Sequence, residues 1–186
     1  LTNCEGDRQR FLAMRPDLAV VANGAEFDPP ADPPPVPAAL AALPRPVIGY
    51  VGNMRDRVDW DLVAEIAMAR PDWSIPMIGP LDKPEAADAM EAHDNVHLLG
   101  PMEYETMRAC LRHFDVAILP HRVDAMTDAM NPLKVYNYLA AERPVVATDV
   151  ANMDDVRDFI AVAADPEAFV AAIEHALAGE APAPPP

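Results

Sequence analysis

The sequence predicts an α/β domain with a mostly parallel sheet covered by helices on both faces. Short apolar runs alternate with segments of helical periodicity from Pro46 to Ala178. Connections of this length favour right-handed crossovers between parallel strands. In such sheets ligands bind beyond the carboxyl ends of the strands. The residues that follow each strand are therefore the first candidates for a functional site.

The predicted strands are short apolar runs, as expected for strands buried in a parallel sheet. Pro76 lies inside the second run and favours a strand end or an irregularity, because proline cannot donate to the hydrogen-bond ladder. The strands are predicted at Pro46–Gly52, Trp73–Gly79, Asn95–Leu99, Asp115–Pro120, Pro144–Thr148 and Phe159–Ala163.

The predicted helices carry apolar residues at helical spacing, such as Leu62, Ile66 and Ala69 in the first helix of this alternation. Asp165 and Pro166 fit the N-cap and first position of the last helix. The helices are predicted at Asp59–Arg70, Pro84–Ala92, Tyr104–His113, Pro132–Ala141 and Pro166–Ala178, with a further helix-like segment, GDRQRFLAM, near the start.

The ends of the chain differ in composition from its centre. Residues 1–27 lead into the domain, and residues 28–46 are predicted to be a connector. The stretch from Phe27 to Pro46 holds eight prolines, which block regular backbone pairing. Residues 47–179 form the predicted domain, and the Pro-rich tail 180–186 is expected to be disordered. Because the first residue is Leu, we expect the chain to be a piece of something longer.

Composition excludes several classes of function. With 186 residues the chain has room for one full core, and 30 acidic against 14 basic residues give a net charge of -16, which argues against nucleic acid as a partner. Cys4 and Cys110 are far apart, so neither a metal cage nor a disulfide framework is expected. No apolar run approaches the roughly 20 residues that span a bilayer. A cytoplasmic location is expected by default.

Small and polar residues follow the predicted strands. The pairs are Gly52-Asn53, Gly79-Pro80, Gly100-Pro101 and Pro120-His121. Glycine there permits close backbone approach to a ligand, although Gly and Pro also punctuate strand ends without any functional role. A G-x-G-x-x-G fingerprint is absent, so NAD-type binding lacks its main support. The other histidines show no metal-binding spacing, and His121 is a candidate by position alone.

The stretch from Thr127 to Asp149, TDAMNPLKVYNYLAAERPVVATD, predicts a loop, a helix and a buried strand. Asn131 can cap the helix, with Pro132 at its first position and Leu133 next. Lys134 and Asn137 lie about 60° apart on the helix surface. Exposed N–H groups and the Lys134 ammonium could then converge on a phosphate. The alternative is a well-capped helix with one solvated lysine.

Arg55 and Arg57 follow Gly52 in the first strand-to-helix turn. Cations at this position would face the ligand crevice of a parallel sheet. Surface arginines paired with Asp56 and Asp59 are the alternative interpretation.

Four segments together carry a family resemblance through their order and spacing. They are VIGYVGNMRDRVDWDLVAEIAMARPDWSIPMIGP, NVHLLGPMEYETM, FDVAILPHR and NPLKVYNYLAAERPVVATD, preceded by VVANGAEF. The sequence resembles the C-terminal half of GT-B-fold glycosyltransferases of the retaining, nucleotide-sugar-dependent kind (family 4 or group 1). The resemblance covers roughly Asn3 to Gly179.

The resemblance implies a Rossmann-like α/β/α domain that binds a UDP- or GDP-sugar, while a missing N-terminal domain binds the acceptor. It places the donor diphosphate at Gly52 to Arg57 and at Asn131 to Lys134, the base near Gly100 to Met102, and the ribose at Asn137. It also implies that no metal is needed, because Lys134 and Arg57 would stabilise the departing diphosphate.

The sequence departs from the family where two Glu residues usually stand eight positions apart, since it has Ala129 and Asn137 there. Asn137 can still hydrogen-bond ribose hydroxyls, but Ala129 cannot hold a sugar unless Asp128 or Asp124 substitutes. A non-catalytic binding or scaffold module therefore remains an alternative to a transferase. A nucleotide-sugar epimerase, which shares the architecture, is a third reading.

Two further departures lie near the predicted site. Glu142 replaces the Gly that usually ends the Lys134 helix, which we expect to weaken the C-cap. Asn53 stands where many relatives carry Arg directly after the glycine, although Arg55 and Arg57 are close by in the sequence.

Overall fold

The computed structural model describes residues 1–3, 5–21, 23–25, 32, 34–82, 84–125, 127 and 131–183. Within them, six strands form one parallel sheet in the order β3-β2-β1-β4-β5-β6. The predicted α/β fold is confirmed. The strands are β1 Ile48–Val51, β2 Ile75–Ile78, β3 Val96–Gly100, β4 Val116–Leu119, β5 Val145–Thr148 and β6 Ala161–Ala163.

The strand order changes direction at the centre of the sheet. From β1 the chain proceeds outward through β2 to β3, and it then returns to the other side of β1 for β4, β5 and β6. The carboxyl ends of β1 and β4 therefore flank a topological switch point, where open α/β sheets bind ligands.

The helices follow the predicted pattern within a few residues. Asp165 caps the last helix by accepting a hydrogen bond from Ala168 N at 2.8 Å. The helices are α1 Glu5–Phe11, α2 Ala38–Ala41, α3 Trp60–Ala69, α4 Pro84–Met90, α5 Tyr104–Leu111, α6 Leu133–Ala140 and α7 Pro166–Leu177, with a 3₁₀ turn at Arg157–Phe159.

The strands β1, β2, β4 and β5 are buried along their whole length. Pro76 lies within β2, between two neighbouring strands, and the pairing with β3 shifts register between Met77 and Ile78. This is the irregularity that proline predicted. The largest completely buried side chains include Trp73, Tyr50 and Tyr138.

Part of the Pro-rich stretch packs on the domain. Its short helix α2 buries Leu40 completely, and Val36 and Leu43 pack against the core. The carbonyl of Pro44 accepts a hydrogen bond from Ser74 Oγ at 2.7 Å. None of the described residues before residue 26 is buried, so the packed region begins near Val36.

The described helices are all too short or too polar to cross a lipid bilayer. Ala129, Asp128 and the last three residues of the tail lie outside the described residues, so the predictions for them remain predictions.

Candidate functional site

The loops that follow β1, β2 and β3 pack backbone against backbone. Gly52 N donates to Ile78 O and Gly79 N donates to Gly100 O, both at 2.8 Å. A Cβ at Gly79 would lie 2.0 Å from Gly52 O. These contacts need glycine and hold the turn after β1 at the switch point.

Helix α6 is anchored to the end of β1 by one buried side chain. Tyr138 Oη accepts a hydrogen bond from Val51 N at 2.9 Å and donates to Val51 O at 3.1 Å. Lys134 lies one turn earlier on the same face of α6. Its stem therefore covers Gly52, where a Cβ would lie 2.4 Å from Lys134 Cε.

Two cations act on each other at this point. Burial, with a smaller contribution from the positive charge of Arg57, lowers the pKa of Lys134 to about 8. Among the described residues, neither side chain forms an ion pair with a carboxylate. The structure thus places the two residues that the sequence singled out for a diphosphate within each other's electrostatic influence, and neither has an anionic partner among the described residues.

His121 is held inside the site. It is 2 % exposed, and burial, with help from Lys134 and Arg57, lowers its pKa to about 2. Its Nε2 lies 3.3 Å from Tyr50 Oη, and Thr148 Oγ1 donates to its backbone O at 2.6 Å. The imidazole is therefore neutral and engaged with the protein.

Arg55 lies apart from this pair of cations. It forms an ion pair with Asp82 at 2.6 Å, and both side chains are about half exposed. The alternative interpretation, a surface arginine in an ion pair, is therefore right for Arg55, but the partner is Asp82 and not Asp56 or Asp59. Asp59 caps α3 by accepting from Leu62 N at 3.2 Å. The Gly79 loop, which carries Asp82, supplies the partner instead.

The predicted capping of α6 by Asn131 is wrong. Pro132 is the N-cap residue, with φ -77° and ψ 87°, and no side chain caps the helix. The Asn131 side chain turns away, donating to Asn152 O at 3.2 Å and accepting from Asn23 Nδ2 at 2.9 Å. Because ψ of Pro132 is not helical, α6 begins one residue later, at the half-exposed Leu133.

Thr127 has a structural role in the loop before α6. It is 1 % exposed, and its Oγ1 donates to Arg122 O at 2.8 Å and accepts from Asp124 N at 3.0 Å. Its own N donates to Asp124 Oδ1 at 3.1 Å. These bonds close the loop that follows β4.

The residues proposed for base and ribose line two separate depressions. Met102 lines a cavity of about 150 Å³ beyond β1, β2 and β3, together with Gly52 and Asn53. Asn53 Oδ1 is buried there and has no hydrogen-bond partner among the described residues. Asn137 lines a shallow groove between α5 and α6 with Arg108 and Ala140.

A cavity of about 470 Å³ lies on the other side of His121 and extends to α7. Five carboxylates line it: Asp59, Asp61, Glu65, Asp149 and Asp165. Like charges would repel a diphosphate, so this cavity is unsuited to an anion.

Sequence reasoning missed four residues that build the site: Tyr50, Tyr138, Thr148 and Asn23. The first three lie in apolar runs, where the sequence pattern indicates core packing and gives no sign of a polar contact. Asn23 carried a signal, because it lies in the VVANGAEF segment that resembles the family, but its contact with Asn131 spans 108 positions.

Comparison with known proteins places the chain in a family. Residues 45–179 match the model of the glycosyl transferases group 1. Over 137 residues the chain is 27% identical to the putative teichuronic acid biosynthesis glycosyltransferase TuaH of Bacillus subtilis (strain 168). The aligned residues make up 70% of this chain and 34% of the relative. The chain thus spans about a third of the length of that curated relative.

Solved structures share the fold. Anabaena Alr3699/HepE in complex with UDP-glucose aligns with a TM-score of 0.74 at 12% identity, over 98% of this chain and 55% of that one. The alpha,alpha-trehalose 6-phosphate synthase from Burkholderia multivorans aligns with a TM-score of 0.58 at 16% identity, over 75% and 36%. With this fold and the match over residues 45–179, the chain belongs to the glycosyl transferases group 1 and is similar to the C-terminal half of GT-B members.

Proposed function

We propose that this domain binds the nucleotide-sugar donor of a glycosyltransferase, which transfers the sugar to an acceptor held by a separate N-terminal domain. One observation carries the proposal: Lys134, at the switch point, lies within the electrostatic influence of Arg57, and neither cation has a carboxylate partner among the described residues. Membership of the glycosyl transferases group 1 supports it. So does the fold shared with the Anabaena protein solved with UDP-glucose.

The diphosphate occupies the space between the turn after β1 and the start of α6. A buried cation without a partner is unfavourable by itself, and an anion that replaces the lost hydration reverses this. Gly52 lets the Lys134 stem lie against the backbone of the turn. No side chain caps α6, so the positive end of the helix dipole can also act on the anion.

The same cations serve the chemical step. When the bond between the sugar and the diphosphate breaks, negative charge grows on the leaving oxygen. Lys134 and Arg57 are already held by the fold and stabilise that charge without reorganisation. In this proposal they replace a metal ion. The base lies near Gly100 and Met102, and Asn137 serves the ribose.

Titration of the protein with UDP-glucose and GDP-sugars by calorimetry tests the donor site. We expect saturable binding that weakens about tenfold to a hundredfold in Lys134→Ala, because a buried, charge-assisted contact is lost. Arg15→Ala is the matched control, since it removes an exposed cation that is paired with Asp17 in the N-terminal segment. Unchanged affinity in Lys134→Ala would refute the site.

Donor binding without sugar transfer is the second candidate. It is favoured by Asn137, which stands where the family usually has Glu and lines the groove between α5 and α6. Donor hydrolysis or transfer by the protein together with its acceptor domain would exclude this candidate. Product analysis without an acceptor would reveal an epimerase instead.

A further inference from the structure

Tyr50 connects three parts of the proposed donor site. It is completely buried in β1. Its ring lies beneath the Lys134 ammonium, with Nζ 5.4 Å from the ring centroid. Its hydroxyl donates to Asn53 O at 3.3 Å and also lies 3.3 Å from His121 Nε2. One side chain thus reaches the cation, the turn after β1 and the end of β4.

The hydrogen bonds of this group have one consistent direction. The Tyr50 hydroxyl has a single proton, which it donates to Asn53 O. It must then accept from His121, so the neutral imidazole carries its proton on Nε2. The result is a buried series of hydrogen bonds from His121 through Tyr50 to the backbone of Asn53. This series restrains the turn that follows Gly52.

The ring has a separate effect on Lys134. An aromatic face attracts a cation within about 6 Å of the ring centroid, and the attraction is strongest where water is excluded. No carboxylate among the described residues pairs with Lys134, so the ring is its main electrostatic support from a side chain. Tyr138 fixes α6 one turn away and leaves the lysine stem little freedom.

We propose that Tyr50 is a positioning residue of the donor site: its ring holds Lys134 over Gly52, and its hydroxyl, held by His121, fixes the turn at Asn53. The ring acts on the diphosphate only through the lysine. This inference rests on the proposed function, since it describes how the donor site is kept ready for an anion.

A double-mutant cycle tests the ring. We expect Tyr50→Leu to weaken UDP-glucose binding about tenfold in the wild-type background and only about threefold, the part that belongs to the hydroxyl, in Lys134→Ala. A residue that only supports the fold would cost the same affinity in both backgrounds, and that result would overturn the proposal. Phe169→Leu is the matched control: it also removes a completely buried ring, in α7, and should lower the Tm without changing affinity.

Nuclear magnetic resonance of the wild-type protein provides a test that needs no variant to fold. The chain has two lysines, Lys83 and Lys134, so selective ¹³C labelling gives two side-chain signals. The ring should shift the Lys134 Hε signal upfield of the Lys83 signal. The shift should persist in Tyr50→Phe, where loss of the hydroxyl weakens UDP-glucose binding about threefold.

Each outcome separates the two proposals. An unshifted Lys134 signal in the wild type overturns the role of the ring, and unchanged affinity in Tyr50→Phe overturns that of the hydroxyl. If the wild type binds no nucleotide sugar, the proposed function fails, while the signal still reports on the contact between Tyr50 and Lys134.

Discussion

At the residue scale, the Lys134 side chain lowers the stability of the folded domain and favours the binding of an anion. It is a largely buried ammonium in a chain with a net charge of -16, yet no carboxylate pairs with it in the described part of the chain. Burial of an unpaired charge opposes folding. A negatively charged ligand would remove that penalty. The buried ammonium that destabilises the folded domain is therefore also the group that binds the ligand.

Replacement of Lys134 by Met should stabilise the domain near neutral pH. The pKa falls from an ordinary 10.5 to about 8 on folding. Below pH 8 the folded chain therefore bears the full cost of the buried charge, on the order of 3 kcal/mol. Between these two values the folded state loses its proton first, so the gain in Lys134→Met should fade as the pH rises to about 10.5.

Urea denaturation at several pH values measures this effect as the free energy of unfolding. Arg15→Met removes an exposed cation and should show no gain that fades in this window. A Lys134→Met variant with no added stability near neutral pH would contradict the prediction.

Gly52→Ala should damage both fold and site. Gly52 has a φ of 148°, which side-chain-bearing residues rarely adopt, and the new Cβ would lie 2.4 Å from Lys134 Cε. We expect a loss of about 1–3 kcal/mol in the free energy of unfolding and weaker UDP-glucose binding, because the lysine must move. Gly24→Ala is the control, since nothing lies within 4 Å of its added Cβ. Equal stability of the two variants in thermal denaturation would count against this account.

At the scale of elements, α6 determines where the cation lies. Tyr138 ties the helix to β1. At its C-terminal end, Arg143 N donates to Tyr138 O and Glu142 N donates to Leu139 O. These are the bonds of a Schellman motif, whose C′ position favours Gly. Here Glu142 occupies that position with a φ of 58°.

Glu142→Gly should therefore raise the free energy of unfolding by about 1 kcal/mol. Helix α7 provides the reciprocal experiment, because it ends with the same two bonds around Gly179, whose φ is 82°. Gly179→Glu should lower the free energy of unfolding by a similar amount. Chemical denaturation measures both variants, and two neutral results would show that left-handed backbone has no cost here.

At the scale of the whole molecule, the packed domain begins before the residues that match the family. The family match begins at residue 45, but the core also includes Leu40, which is completely buried. The part of the Pro-rich stretch that carries α2 is thus a component of the fold.

Two truncations test this boundary by thermal denaturation. Removal of residues 1–33 should leave the Tm within about 3 °C, because no described residue before residue 26 is buried. Removal of residues 1–46 also deletes Leu40 and the Pro44 carbonyl that binds Ser74, and should lower the Tm by about 10 °C. Equal effects of the two truncations would place the boundary elsewhere.

Most of the fold could be predicted because local patterns set it. The strands β1, β4 and β5 are apolar runs, and a parallel sheet buries such strands on both faces. Asp165 and Pro166 marked the start of α7 within the sequence itself. Asn131 and Pro132 form a similar pattern, but the cap that it predicted for α6 is wrong. The Asn131 side chain instead forms hydrogen bonds with Asn23 and Asn152.

The sequence by itself determined the class of fold, the family resemblance and the two cations, since apolar periodicity and residue types are local properties. Only the tertiary structure decided that the charge of Arg57 acts on Lys134 while Arg55 pairs with Asp82. It also decided that Tyr50, placed in the core by its strand, supports the cation. Both are contacts between segments far apart in the chain, and no local pattern encodes which distant side chains meet once the sheet is assembled.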